Sequence, residues 1–219
     1  DLLAVKNLKD EFILSRVKGL VFRNFQGQVI MNEPSGIVPS NRLDIELPGM
    51  AWDLLPPLNK YRTAGWHSWS NNSEKEPFAA LYTSLGCPYR CSFCMINVVN
   101  RDDNVAIGVA SNYAAMRFWS PEHIFRQIQD LYKIGIRTLR FSDEMFLLNK
   151  KYFVPLCEML RDRGYGENLN MWAYSRVDTI RNAEHLKLIR EAGIRWLALG
   201  IESGDRGRRR GYTGITGLP

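Results

Sequence analysis

No window of the 219-residue sequence approaches the roughly 18 consecutive apolar residues that a membrane-spanning helix needs. The chain also lacks an initiator Met and a basic-then-apolar leader. Its start, Asp1-Leu2-Leu3, therefore reads as a cut within a longer, cytoplasmic protein. Cysteine is scarce, and none precedes Cys87; of the four, Cys87, Cys91 and Cys94 fall within eight residues. A disulfide scaffold would spread its cysteines in an even set, so this cluster points to metal or redox chemistry in a reducing compartment. Acidic residues are missing from 206–219, where four arginines supply four of the six net positive charges. A basic excess confined to a Gly/Arg tail is a poor footprint for nucleic acid and reads as a solvated or disordered end.

What is present is ordinary for a globular protein: 45% hydrophobic and 24% charged residues, enough for a sizeable core. The length fits one large domain, or one domain and a flanking piece. Near the start, the β-rich runs 19–23 and 28–31 flank Asn24-Phe25-Gln26-Gly27 and predict a hairpin. Residues 37–77, punctuated by Pro39, Pro48, Pro56, Pro57 and Pro77, read as an extended linker.

A regular rhythm begins at residue 78. A strand over 78–83 runs into the cysteine loop. A helix follows, with Ser120 as N-cap, Pro121 in the first position, an apolar face of Ile124, Ile128, Leu131 and Tyr132, and a stop at Gly135. Then come a strand at 138–142, a helix at about 149–163 with Pro155 inside it, and a strand at 169–175. A helix capped by Asn182 and a strand at 196–201 complete the pattern. Strand and helix alternating at this spacing predict an α/β fold with a parallel sheet. Right-handed crossovers put every strand's C-terminal end on one rim, where chemistry gathers in such sheets. The cysteine loop, Asp143-Glu144, Ser175-Arg176 and Glu202-Ser203-Gly204 all fall there.

The cysteine loop, Cys87-Pro88-Tyr89-Arg90-Cys91-Ser92-Phe93-Cys94, has the spacing CxxxCxxC. Three close thiolates can hold three irons of a cubane cluster and leave the fourth iron open to a cofactor, whereas ferredoxin spacings supply all four ligands. The alternative is a structural zinc site. Zinc usually wants paired CxxC elements and four ligands. Cys157, on a helix face with Phe153 and Leu160, or His67, isolated in the linker, are the only fourth ligands on offer.

CxxxCxxC with aromatic Phe93 before its last cysteine, directly after a first strand, resembles the radical S-adenosylmethionine (SAM) superfamily. The resemblance covers about residues 78–204 and implies a partial (β/α) barrel, a [4Fe–4S] cluster on Cys87, Cys91 and Cys94, and SAM as cofactor. Its other motifs fall in the expected order. Phe141-Ser142-Asp143-Glu144 matches the second-strand motif at the SAM amine, where Asp143 and Glu144 would meet the ammonium; a solvated strand end is the alternative. Leu199-Gly200-Ile201-Glu202-Ser203-Gly204 looks like the fourth-strand segment near the ribose. There Glu202 would accept hydroxyl hydrogen bonds, and Gly200 and Gly204 would let the nucleoside approach closely. At the third strand end, with Ser175, Arg176 would pair with the SAM carboxylate or make a structural ion pair. The implied chemistry is reductive cleavage of SAM to a 5′-deoxyadenosyl radical that abstracts hydrogen from a small-molecule substrate. An electron donor such as a flavodoxin or ferredoxin is implied as partner.

Tyr174-Ser175-Arg176-Val177-Asp178 and Ala51-Trp52-Asp53-Leu54-Leu55-Pro56 narrow the resemblance to the cobalamin-associated branch. That branch includes methyltransferases and the anaerobic magnesium-protoporphyrin monomethyl ester cyclase. Residues 1–36 then read as the remnant of a cobalamin-binding domain, 37–77 as the linker to the core, and 78–219 as a radical SAM core of which four βα units of six are visible. Trp52, Trp66 and Trp69 serve equally as core aromatics. Two further readings stay open. One is a methylthiotransferase-like radical SAM enzyme acting on tRNA or a ribosomal protein, which would carry further upstream cysteines. The other is a non-enzymatic iron–sulfur or zinc-binding module.

Overall fold

The computed structural model describes residues 7–62, 76–89, 91, 94, 96 and 116–205. They fall into two compact units, 7–37 and the remainder.

In the first unit, the Asp10 carboxylate accepts from the N–H groups of Phe12 and Ile13 and so caps a single-turn helix, Glu11–Leu14 (α1). The expected hairpin follows. Val21–Arg23 (β1) and Val29–Met31 (β2) pair antiparallel, with Phe22 opposite Ile30. Gly27 takes φ +79°, and its N–H donates to Asn24 O at 2.9 Å to close the turn. The Asn32 amide donates to Leu14 O and Val17 O, tying the hairpin to α1.

The second unit is built on four parallel strands that neighbour one another in chain order: Phe78–Leu81 (β3), Thr138–Phe141 (β6), Asn170–Arg176 (β7) and Ile194–Gly200 (β8). The helices between them begin where side-chain caps are available. Ser120 Oγ accepts from His123 N–H before Pro121–Lys133 (α3). Asn149 Oδ1 accepts from Lys151 N–H before Lys150–Asp162 (α4). Asn182 Oδ1 accepts from His185 N–H before Ala183–Glu191 (α6). Pro155 lies within α4, which runs unbroken from its Asn149 cap. The helices cover one sheet face, where Leu139, Phe141, Met171 and Ala173 join Ile124, Ile128, Leu131, Phe153, Leu156, Leu160 and Ile189 in one core. Phe125, Phe141, Phe146 and Phe153 are buried almost completely. Each such side chain contributes about 1.5–3 kcal/mol by leaving water.

Three segments depart from the sequence reading. The first strand ends at Leu81, and Ser84–Leu85 (β4) pairs separately and antiparallel with Arg117–Phe118 (β5). A short helix, Tyr165–Asn168 (α5), precedes β7. The stretch read as an extended linker holds a helix, Ser40–Glu46 (α2), and two 3₁₀ turns at Trp52–Leu54 and Leu58–Lys60. No side chain caps α2, so the sequence offers no start signal; tertiary contacts hold it instead. Leu43 is fully buried, and the Asp44 carboxylate accepts from Ser120 N–H at 2.9 Å and Ser120 Oγ at 2.5 Å. Trp119 Nε1 donates to Leu47 O, and a His123 ring nitrogen meets Pro48 O at 2.9 Å. Residues 40–48 therefore strap the start of α3.

Candidate active site

At the C-terminal ends of the strands a cavity of about 200 Å³ opens. Three groups of residues line it: Cys87, Tyr89, Cys91, Cys94 and Ile96 from the cysteine loop; Glu144 and Met145 after β6; and Tyr174, Ser175, Arg176, Ala198, Gly200 and Glu202 from the ends of β7 and β8. The strand-end geometry thus brings together eight of the residues singled out from sequence. Phe93 and His67 lie outside the described residues.

The loop leaves β4 through Gly86 at φ +87°. Cys87 is buried, Cys91 half-buried and Cys94 exposed, and Cys94 N–H donates to Cys91 O at 3.1 Å. Burial raises the Cys87 thiol above its ordinary pKa, and the neighbouring Cys91, Glu144 and Cys94 add to the effect. Cys91 is raised by burial too, against the pull of Arg176. Mutual repulsion of this kind is what a cationic metal centre relieves, since metal binding displaces the thiol protons. Among the described residues no three His, Cys, Asp or Glu groups converge on one point. A cubane asks something different, because it gives each thiolate its own iron. Cys157 lies in the core under α4 at 0% exposure, its thiol pushed far up by burial.

Asp143 and Glu144, neighbours in sequence, part company. Glu144 faces the cavity, with its pKa raised by burial first and then by Asp143. Its Oε2 is buried and has no hydrogen-bond partner among the described residues. A buried carboxylate oxygen without a donor costs free energy until a cation or donor reaches it, so the position fits an ammonium group. Asp143 does not line the cavity. It is 1% exposed and accepts from Thr83 N–H at 2.7 Å, from the Thr83 hydroxyl and from Ser84 Oγ at 2.8 Å. It anchors the turn that leads into the cysteine loop.

Burial pushes Asp143 up to about 6, although its three donors oppose the shift. Because the folded carboxyl titrates above the unfolded one, near 3.8, the protonated form favours folding. That stabilisation is complete below about pH 4 and is lost as pH rises through about 6, a change on the order of 3 kcal/mol. Asp143→Asn is expected to flatten this slope in denaturant titrations run between pH 4 and 7. An unchanged slope would show that other groups set it.

Arg176 lines the cavity and is also ion-paired: Nε donates to Asp178 Oδ1 at 3.1 Å, and the guanidinium lies 4.3 Å from the Tyr89 ring centroid. Ser175 Oγ shares a 2.7 Å hydrogen bond with Thr179 Oγ1. Glu202 is the one non-glycine residue at positive φ, +63°, among the described residues, a conformation of the kind that concentrates at functional sites. A Cβ at Gly200 would sit 3.0 Å from Glu202 Oε1, so the missing side chain leaves room for Glu202 at the strand end. Gly204 does not line the cavity. Tyr89, Met145 and Tyr174 lie within or beside the motifs read from the sequence but are not among its candidate site residues. Two-residue alternation back from Arg176 marks Tyr174 as sharing its sheet face.

A family model described as the radical SAM superfamily matches residues 81–216, and the chain belongs to that superfamily of enzymes. An uncharacterized methyltransferase of Pyrococcus horikoshii is 30% identical over 207 residues, 92% of this chain and 38% of the relative. The anaerobic magnesium-protoporphyrin IX monomethyl ester cyclase of Synechocystis is 24% identical over 204 residues, 91% of this chain and 34% of that protein. The chain thus spans little more than a third of the length of these relatives. Among solved structures, the radical SAM methyltransferase TsrM from Kitasatospora setae, with cobalamin and a [4Fe–4S] cluster bound, matches with a TM-score of 0.58 at 16% identity. That match covers 90% of this chain and 35% of the other. The cobalamin-dependent SAM radical enzyme OxsB matches with a TM-score of 0.57 at 23% identity, over 93% of this chain and 26% of that one. These likenesses establish the fold, a parallel α/β sheet of the partial-barrel type.

Proposed function

We propose that the protein carrying this chain is a radical SAM enzyme that holds a [4Fe–4S] cluster on Cys87, Cys91 and Cys94. On this reading it belongs to the cobalamin-associated branch and performs methyl transfer or cyclase-like chemistry on a small molecule. The observation that carries the proposal is the meeting, in one cavity, of three loop thiols with the orphaned Glu144 oxygen, Arg176 and Glu202. When bound, the cluster supplies the single electron that reductive cleavage of SAM requires.

The chain's own residues bind and orient. Glu144 is assigned the SAM ammonium. Arg176, already held by Asp178, keeps its outer guanidinium nitrogens for the SAM carboxylate. Glu202 reaches the ribose hydroxyls, and bare Gly200 lets the nucleoside lie against the strand end. Asp143 fixes the loop root through Thr83 and Ser84. Tyr89 stacks on Arg176 and helps to exclude water.

The assignment to the branch rests on the methyltransferase and cyclase relatives and on the hairpin of Val21–Arg23 and Val29–Met31; we assign residues 1–36, which hold it, to the end of a cobalamin-binding domain. Residues 37–77 would then join it to the core at 78–219. A flavodoxin or ferredoxin as electron donor, and the cytoplasm as location, belong to the same proposal. No helix among the described residues is long and apolar enough to cross a membrane.

Glu144→Gln keeps size and removes charge. It is expected to weaken SAM binding to the reconstituted protein by at least about tenfold, the loss of one charged hydrogen bond. Equilibrium dialysis with labelled SAM measures this, with iron content as the control. Unchanged affinity at full iron loading would remove Glu144 from the site.

A further inference from the structure

The core helices cover one face of the parallel sheet. Side chains alternate along a strand, so Arg140, Trp172 and Tyr174 lie on the face opposite Leu139, Phe141 and Ala173 and outside the main core cluster, with Trp172 itself buried. The register carries this face across the sheet: Arg140 stands opposite Trp172, Trp172 opposite Trp196, and Tyr174 opposite Ala198. Tyr174 and Ala198 line the cysteine cavity. Arg140, Trp172 and Trp196 therefore continue the same face about 7 Å further toward the strand N-termini, two residues along.

Arg140 is a half-buried cation there. Its Nε donates to Ser142 Oγ at 2.9 Å, and its guanidinium lies 5.8 Å from the Trp172 ring centroid and 5.9 Å from that of Tyr174. Among the described residues no carboxylate pairs with it, and Nη1 and Nη2 make no hydrogen bond. A guanidinium drawn partly out of water onto aromatic rings gains most when an anion completes it. Its two outer nitrogens match the paired oxygens of a carboxylate or phosphate. Tyr174, which also lines the cavity, offers ring surface beside it.

We propose that this face is the substrate subsite, and that the substrate carries an oxyanion on a flat, unsaturated framework. Arg140 takes the oxyanion, and the ring of Tyr174 lies against the framework. The proposal rests on the reading of the adjoining cavity as the SAM site, because it places the substrate next to the bond that breaks.

Saturation-transfer NMR titrations with 2-naphthoate, 2-naphthyl phosphate and neutral 2-naphthamide test it on the unaltered protein, on R140Q and on R140K. At least one anion is expected to bind about tenfold or more tighter than the amide, and the tighter anion names the oxyanion. R140Q should level anion and amide, while R140K should restore part of the preference. Equal affinities of anions and amide in the unaltered protein, no binding of any probe, or an anion preference that survives in R140Q would overturn the subsite. The probes need neither cluster nor SAM. A preference that depends on Arg140 in protein unable to load iron would overturn the cluster reading alone, and normal iron and SAM loading without a preference would overturn the subsite alone.

Discussion

Anaerobic reconstitution of Cys87→Ala, Cys91→Ala or Cys94→Ala is expected to yield protein without a cluster, where the unaltered protein takes up about four irons per chain. The loss should be near complete in each case, because a three-thiolate site has no spare ligand. Two remaining thiolates leave a second iron uncoordinated, and the neighbouring donors do not compensate: Glu144 is a hard oxygen donor, and Cys157 is sealed in the core. Cys157→Ala provides the control. It removes a buried sulfur beneath α4, which should cost on the order of 1 kcal/mol of stability and leave iron content unchanged. Iron and sulfide assays beside thermal melts separate the two effects. A cluster that survives Cys91→Ala would exclude this loop as the ligand set.

Gly166→Ala is expected to be the most damaging of the conservative substitutions outside the cavity. Helix α5 sits so close to the end of α6 that a Cβ at Gly166 would lie 1.8 Å from Glu191 O and 2.8 Å from Ala192 C. Both are backbone atoms, so no side-chain rotation relieves the clash. Arg195 locks the same junction by donating to Leu169 O, Gly166 O and Glu167 O. Moving α5 aside therefore also strains the start of β8. A loss of about 3 kcal/mol or more follows from overpacking against fixed backbone. Gly204→Ala, with nothing within 4 Å of the added Cβ, should change stability by less than about 0.5 kcal/mol. Denaturant midpoints of the two variants give the comparison. Equal midpoints would mean that α5 is free to move.

The alternating strands and helices were legible because their signals are local. Ser120 and Asn182 cap α3 and α6 as read from the sequence, Asn149 caps α4, whose expected start lies near it, and the four strands lie in chain order. The strap at 40–48 was not legible, because it owes its place to Asp44 on Ser120 and to Leu43 in the core, contacts more than seventy residues away in sequence. The same distinction divides the site. Motif spacing brought the cysteines, Glu144, Arg176 and Glu202 to one rim. It treated Asp143 and Glu144 as a pair, whereas adjacent residues at a strand end point to opposite sides: one carboxylate meets the hydroxyls of Thr83 and Ser84, and the other the cavity. Only the register of β6 on β7 and β8 joins Arg140 to the ring faces beside it.

The central claim is that three thiols hold a cluster whose fourth iron is open to SAM. Electron paramagnetic resonance of the reduced, iron-loaded protein, recorded with and without SAM, tests it most directly. The account predicts a cubane signal that shifts when SAM is added. A full complement of iron whose signal ignores SAM, or stoichiometric zinc in place of iron, would contradict it.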